Sequence, residues 1–448
     1  MRKETRCTKI FAGAIAISSV FHEAAYDTFA VGRLGYWGWG IMTEQTEHQV
    51  GSNPRDWRWP FWPIVPLYPY GQRRTLRQEV IPNTLWTFEQ LQGILYVVTP
   101  IRMTVVKLQT GGLLVYAPVA PTPECVRLVR DLIALHGDVK YIILPTISGL
   151  EHKVFVGPFA RQFPTAQVYV APHQWSFPLN LPLTWLGLPC GRTHILPADS
   201  AQAPFAEDFD YTVLGPIDLG LGSFAEVAFF HRRSHTLLLT DLLLSIPDHP
   251  PAIVQLDPYP LLFHARDNAL DEVTDTETNR RKGWQRIVLF SLYFRPSALA
   301  IVPFGQALRD AQKGSDRSKK AFWGLYPFCW QSSWASSFAA LHHQGRPLVA
   351  PILQTLILNR APQLTLDWVY QVATWDFQRI LPCHFEAPIP ARAQALRSAF
   401  SFLEKPSSRC GSSGESDGLL PDADFALLRE LDTELTRRRI TPPARETV

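Results

Sequence analysis

Cysteine is sparse, and no two cysteines lie close together: Cys7, Cys125, Cys190, Cys329, Cys383 and Cys410 are scattered along 448 residues with no C-x-x-C pair. Such spacing argues against a cysteine zinc site and a disulfide framework, and fits a reducing compartment. Net charge is lacking as well. Lys+Arg (43) and Asp+Glu (40) nearly cancel to +3, so the chain has no global electrostatic footprint for nucleic acid. The short basic runs Arg73-Arg74 and Arg437-Arg438-Arg439 read as solvated faces or tail. No stretch reaches the roughly 18 to 20 apolar residues of a membrane span. The chain also has no G-x-S-x-G elbow, no Walker loop and no G-x-G-x-x-G after a strand. Gly220-Leu221-Gly222 comes nearest but lacks the third glycine and the helix start, so nucleotide cofactor binding is unsupported.

What is present is an ordinary globular composition, 46% hydrophobic and 19% charged, enough to bury a large core. Residues 1–56 read as a targeting or poorly ordered lead. Arg2, Lys3, Arg6 and Lys9 precede or flank the start of an apolar run over residues 10–21, a pattern compatible with an organelle address or a secretory signal. The lack of cysteine pairs weighs against secretion. Trp57-Arg58-Trp59-Pro60-Phe61-Trp62-Pro63 opens an aromatic and proline run that continues to Tyr70. Its prolines forbid regular helix and central strand. Two readings stay open: an extended segment whose rings pack on the domain, or a patch for a partner or a membrane surface, with Arg58, Arg73 and Arg74 alongside.

Beyond this run, the pattern predicts strand pieces at 94–98 and 103–108, a turn at Gln109-Thr110-Gly111-Gly112 and a strand at 113–116. A helix follows over 123–136, then strands at 141–144 and 167–170 with a helix around 158–163 between them. This alternation implies a layered α/β sheet with right-handed crossovers. Strands are expected again at 225–230 and 236–240, then a Trp- and Pro-rich helical insertion over about 245–375, and a closing strand into a loop at 380–384. The domain therefore spans 57–400. Residues 401–448 read as flexible linker and C-terminal tail, with a short helix at 425–435.

Three strand-end positions can carry chemistry: Glu151-His152, Asp241 and His384. Carboxylates and imidazoles at neighbouring strand ends can converge as a divalent metal requires. Each also has an ordinary explanation: a helix-start residue for His152, a turn cap for Asp241, a satisfied strand-edge histidine for His384, a solvated side chain for Glu151. His231 is at best an auxiliary proton donor. Arg232 and Arg233 are either anion holders or part of a solvated turn. His264, Arg266, Asp267, Lys282 and Trp284 either line a cleft entrance or, for Arg266 and Asp267, pair with each other. His342-His343 reads as surface, and Cys383 as a weak candidate nucleophile.

Several of these segments together resemble the domain-of-unknown-function family 4336 of oxygenic photosynthetic lineages, a divergent branch of the metallo-β-lactamase superfamily. The resemblance is carried by Trp59-Pro60-Phe61-Trp62-Pro63, Leu91-Gln92-Gly93-Ile94, His152 with Val156-Gly157-Pro158, Ser234-His235-Thr236-Leu237 with Thr240-Asp241, Pro351-Ile352-Leu353-Gln354-Thr355-Leu356, and residues 380–385. It implies a four-layer α/β-β/α sandwich. It also implies that Glu151, His152, Asp241 and His384 match the Asp, His, bridging Asp and terminal His of a binuclear centre. Glu151 departs from the pattern by one methylene. Ile147 and Gly149 stand where two further histidines belong, and Leu219-Gly220-Leu221-Gly222-Ser223 has no histidine where another is expected. The expectation is one divalent ion (zinc, iron or manganese) serving hydrolysis of an ester, thioester or phosphoester. The alternative is a non-catalytic module that binds a partner or ligand. The resemblance implies a plastid location, with cytoplasm as the alternative.

Overall fold

The computed structural model describes residues 53–448 except 62, 64, 65, 148–150, 177–179 and 405–419. The expected targeting segment, Gly149, Trp62 and the Ser407 to Gly414 linker lie outside the described residues. Arg55 to Val448 form one compact unit.

Two sheets build it. The first holds seven strands in sequence order: β1 (Leu76–Ile81), β2 (Leu85–Ile94), β3 (Val97–Lys107), β4 (Leu113–Tyr116), β5 (Val139–Leu144), β6 (Gln167–Val170) and β7 (Thr193–Ile195). Strands β1 to β4 run antiparallel and β4 to β7 parallel. The parallel steps need crossovers, supplied after β4 by α1 (Pro123–His136) and after β5 by α2 (Lys153–Gln162). Helix α1 has a well-marked start and stop: the Thr122 hydroxyl accepts from Cys125 N, Pro123 stands at the first position, and Gly137 ends it at φ 91°. The second sheet contains β8 (Phe209–Asp218), β9 (Ser223–His231), β10 (Thr236–Leu238), β13 (Arg379–Leu381) and β14 (Ile389–Pro390), in the order β14-β13-β10-β9-β8. Here β10 and β13 are parallel neighbours. Between them in sequence comes the helical insertion, with a small antiparallel two-stranded sheet of β11 (Leu299–Ile301) and β12 (Phe328–Trp330).

Period-two alternation sorts the strand residues into layers. On β4, Leu113 and Val115 face α1 and α2 together with Val129 and Phe159, whereas Leu114 and Tyr116 face the other sheet. Likewise Ala225, Val227 and Phe229 of β9 join the inter-sheet core, while Phe224, Ala228 and Phe230 pack under the insertion helices with Trp284, Ile287 and Trp368. The result is the four-layer α/β-β/α sandwich. Both sheets are covered on both faces, which is why these strands read as largely apolar runs.

The structure differs from the sequence reading at several points. Residues 94–98 are not one strand: Leu95 and Tyr96 have φ 51° and 66° and form the turn between β2 and β3. No glycine or asparagine signals that turn. Packing of the Tyr96 ring against Tyr68, Tyr259, Phe263 and Phe322 holds it. Of the Trp57 to Tyr70 run, Trp59 is buried against Phe155 and Trp57 lies beneath Arg74, as the packed-segment reading expects. The C-terminal residues from Leu420 are no flexible tail. A helix, Ala426–Arg437, buries Leu428; Asp424 accepts from Ser297, and Arg360 pairs with Asp432. Among the described residues no helix is long and apolar enough to cross a membrane.

Candidate metal centre

The parallel β10/β13 pair continues past its formal ends: Leu239 N donates to Leu381 O (3.1 Å) and Cys383 N to Thr240 O (3.1 Å). This register sets Asp241 and His384 side by side. The loop after β5 is stitched to the second sheet by Val227 N to Pro145 O (2.7 Å) and Ile147 N to Ala225 O (3.3 Å). Glu151 arrives from that loop at the head of α2. One ligand atom from each of Glu151, Asp241 and His384 lies within 4.8 Å of the others. His384 Nε2 stands 2.9 Å from Glu151 Oε2 and 3.0 Å from Asp241 Oδ1. His152 lies outside that trio. Its side chain is 2% exposed and its Nε2 is buried with no hydrogen-bond partner.

Both histidines are oriented by backbone carbonyls. His384 Nδ1 donates to Pro100 O at 2.9 Å and His152 Nδ1 to Pro118 O at 3.2 Å. A carbonyl oxygen only accepts, so each Nδ1 carries the proton and each Nε2 is left as the variable position. Burial opposes charge on His384, but Glu151 and Asp241 outweigh it and hold its pKa well above the ordinary imidazole value. Burial would raise Glu151, yet His384 overrides it and brings the carboxyl down to about 2. Burial lowers His152 and keeps its ring neutral.

Three residues that sequence reasoning passed over shape the centre. Glu226, wholly buried on β9, accepts from Thr240 N (2.6 Å) and Asp241 N (3.0 Å), fixing the backbone that presents Asp241. Burial and the neighbouring Asp241 push its carboxyl up to about 8. Arg102 donates to Pro382 O (2.5 Å) and Phe385 O (2.6 Å), bracketing His384, and pairs with Glu89. Gln92 faces Glu151 and helps to hold its carboxyl down. A readable signal existed for two of them: Glu226 and Arg102 are lone charges inside apolar strands, and such charges survive burial only when partnered.

The remaining candidates serve structure. His231 sits opposite Thr236 at the start of β10, the end away from Asp241, and bonds Ser234 Oγ (2.6 Å). Arg232 is spent on Asp210, and Arg233 donates to Lys107 O (3.3 Å). His264 is buried against Leu95 O, and Trp284 donates to Pro247 O (2.9 Å). Arg266 does not pair with Asp267; it lies over Phe263 and Tyr326, and Asp267 pairs with Arg286 and Lys282. His342 is not a surface group, since its Nδ1 bonds Ile246 O (2.6 Å) and its ring stacks on Phe338. Cys383 is buried with its thiol pushed well up by burial, the reverse of an activated nucleophile. Ile147 is a buried core residue with no donor to offer.

The profile of a family described as "Domain of unknown function (DUF4336)" matches residues 82–402. No curated protein matches the chain. Solved structures with similarity include a metallo-β-lactamase from Pontibacter korlensis at 11% identity, covering 38% of this chain and 73% of that one with a TM-score of 0.29. The DIM-1 metallo-β-lactamase exposed to ceftazidime is 8% identical, over 74% of this chain and 98% of that one, TM-score 0.34. The metal-soaked Flv1 flavodiiron core from Synechocystis is 9% identical, over 74% and 60% respectively, TM-score 0.37. Likeness this distant says nothing of activity.

Proposed function

The chain belongs to the family described as a domain of unknown function (DUF4336), and from that premise, which carries no activity, we propose that it is a divergent metallo-hydrolase with one divalent ion held by Glu151, Asp241 and His384 and completed by His152. The observation that carries this reading is the convergence of two carboxylates on His384 Nε2; the buried, unpartnered Nε2 of His152 belongs to a ring that feels the charges of all three. Three acceptors do not meet without a cation between them. A proton on Nε2 serves that role in the metal-free protein, and a metal ion is its natural replacement.

The donor set fits such an ion. Imidazole nitrogen and carboxylate oxygen suit zinc, iron(II) and manganese(II), and no thiolate is in the group. The Nδ1–H to carbonyl bonds of His152 and His384 are the kind of outer contact that fixes a ligating histidine's tautomer. When bound, the ion supplies Lewis acidity, lowering the pKa of a water and polarising a carbonyl or phosphoryl oxygen. The chain's own groups do the rest. Glu226 and Arg102 hold the two ligand loops rigid. Glu151 and Asp241, with side chains 37% and 35% exposed, leave an approach from solvent.

Elemental analysis of purified wild type against His152→Ala and His384→Ala tests the reading. Near-stoichiometric zinc, iron or manganese, lost in both variants, is the expected result and directs screening to p-nitrophenyl phosphate, acetate and thioester substrates. A folded wild type that stays metal-free after incubation with each ion sinks the enzyme reading and leaves a binding role.

A further inference from the structure

Large apolar side chains left in water are usually scattered, and a cluster of them is the informative case. Here four fall within one stretch of the insertion: Ile301 is 49%, Phe304 65%, Leu308 45% and Trp323 50% exposed. The helix Phe304–Ala311 builds the first part of this patch. It buries Ala307 and Ala311 and turns Phe304 and Leu308, one turn apart, outward. Trp323 joins the helix through its neighbour: a Cβ on Gly324 would stand 2.7 Å from Ala311 O, so the Trp323-Gly324 turn closes on the last residue of the helix. Phe322 and Trp323 both have positive φ, 50° and 56°, a conformation that costs bulky residues energy. It sends adjacent rings opposite ways, Phe322 inward onto Tyr96 and Phe263 and Trp323 out into solvent.

Basic charge accompanies these rings. Residues 301–323 hold five basic and two acidic residues, in a chain whose net charge is only +3. Arg309, on the helix flank next to Leu308, and Lys313 and Arg317, just beyond the helix end, are exposed. The two acids are engaged locally: Asp310 accepts from Gln306 Nε2 (2.7 Å) and Asp316 from Ser318 N (2.9 Å). We propose that this face docks on an anionic lipid bilayer, with Phe304, Leu308 and Trp323 entering the boundary between headgroups and acyl chains while Arg309, Lys313 and Arg317 meet the lipid phosphates and carboxylates. A bilayer interface supplies both chemistries at one depth, and tryptophan and the long basic side chains each carry an apolar body and a polar tip that suit it. The aromatic run from Trp57, the sequence's own candidate for such a patch, supplies less of one, because Trp59 and Arg73 are buried and Trp57 lies beneath Arg74. The contact is peripheral and independent of the metal centre.

The test is flotation of the full chain with vesicles of phosphatidylcholine alone and of phosphatidylcholine with phosphatidylserine, at low and high salt. Wild type should float with the phosphatidylserine vesicles at low salt and be released at high salt, where the charges are screened. Arg309→Gln, Lys313→Gln and Arg317→Gln together should weaken binding on the order of a hundredfold, and Phe304→Ser with Trp323→Ser about tenfold or more, with circular dichroism unchanged in both. Wild type that floats with neither vesicle overturns the proposal. Binding that survives both sets of substitutions also overturns it, as does equal binding to the two kinds of vesicle. Concentration-dependent self-association without flotation, abolished by Phe304→Ser with Trp323→Ser, overturns it in favour of a second copy of this chain. Should the apolar variant fail to fold, the charge variant carries the comparison, with unchanged binding the overturning result.

Discussion

On the proposed reading a metal ion and a proton would compete for His384 Nε2, and the competition would set a measurable pH dependence. In the metal-free protein both ring nitrogens face acceptors: Pro100 O at 2.9 Å, and two carboxylate oxygens at 2.9 and 3.0 Å. The raised pKa of His384 means that its contribution to stability is complete below the ordinary imidazole value of about 6.5 and is lost as pH rises through the folded value. Glu151 has the opposite sign: with its carboxyl lowered to about 2, its contribution is complete above about 4.5 and lost as pH falls toward 2. The metal-free cluster is therefore most stabilising between about pH 4.5 and 6.5. Metal binding must displace the Nε2 proton of His384. His152 has none to give there, because burial keeps it neutral, and Glu151 is already ionised. The ligands themselves give up at least one proton per ion, and Glu226, held up to about 8 partly by Asp241, adds to that count where the ion offsets the Asp241 charge, so apparent affinity should rise about tenfold or more, at least 1.4 kcal/mol, per pH unit below the folded pKa of His384. Zinc titrations between pH 5.5 and 6.5, in buffers of different ionisation enthalpy, read the proton count directly. Wild type should release at least one proton per zinc. Stoichiometric binding with no proton release and an affinity flat in pH would refute the assignment of that proton.

Two further outcomes test the supports. Glu226→Gln leaves one carboxamide oxygen for two N–H donors, Thr240 and Asp241, so zinc affinity should fall about tenfold or more with the fold retained; unchanged affinity would show that Glu226 does not position Asp241. Asp432→Ala strips the carboxylate from buried Arg360 and should lower unfolding free energy in urea by about 3 kcal/mol. A true tail would show no change.

Local chemistry made much of the fold legible. The Thr122-Pro123 start and Gly137 stop mark one helix, and the largely apolar runs at 141–144, 225–230 (broken only by Glu226) and 236–240 mark strands buried on both faces. The same reading singled out Glu151, His152, Asp241 and His384 at or after strand ends, and of these the structure brings Glu151, Asp241 and His384 together. Tertiary structure decided what no local pattern contains. Leu95 and Tyr96 turn with positive φ because an aromatic cluster distant in sequence holds the ring. Residues from Leu420 fold back because Arg360 and Ser297, far upstream, need Asp432 and Asp424. Arg73 sits beside Glu151, and Glu226 behind Asp241, only through sheet register and loop closure. Secondary structure follows from neighbours within a few residues, whereas the candidate cluster is a coincidence of side chains up to 233 positions apart, from Glu151 to His384, and only the packed sheets bring their ligand atoms within 4.8 Å of one another.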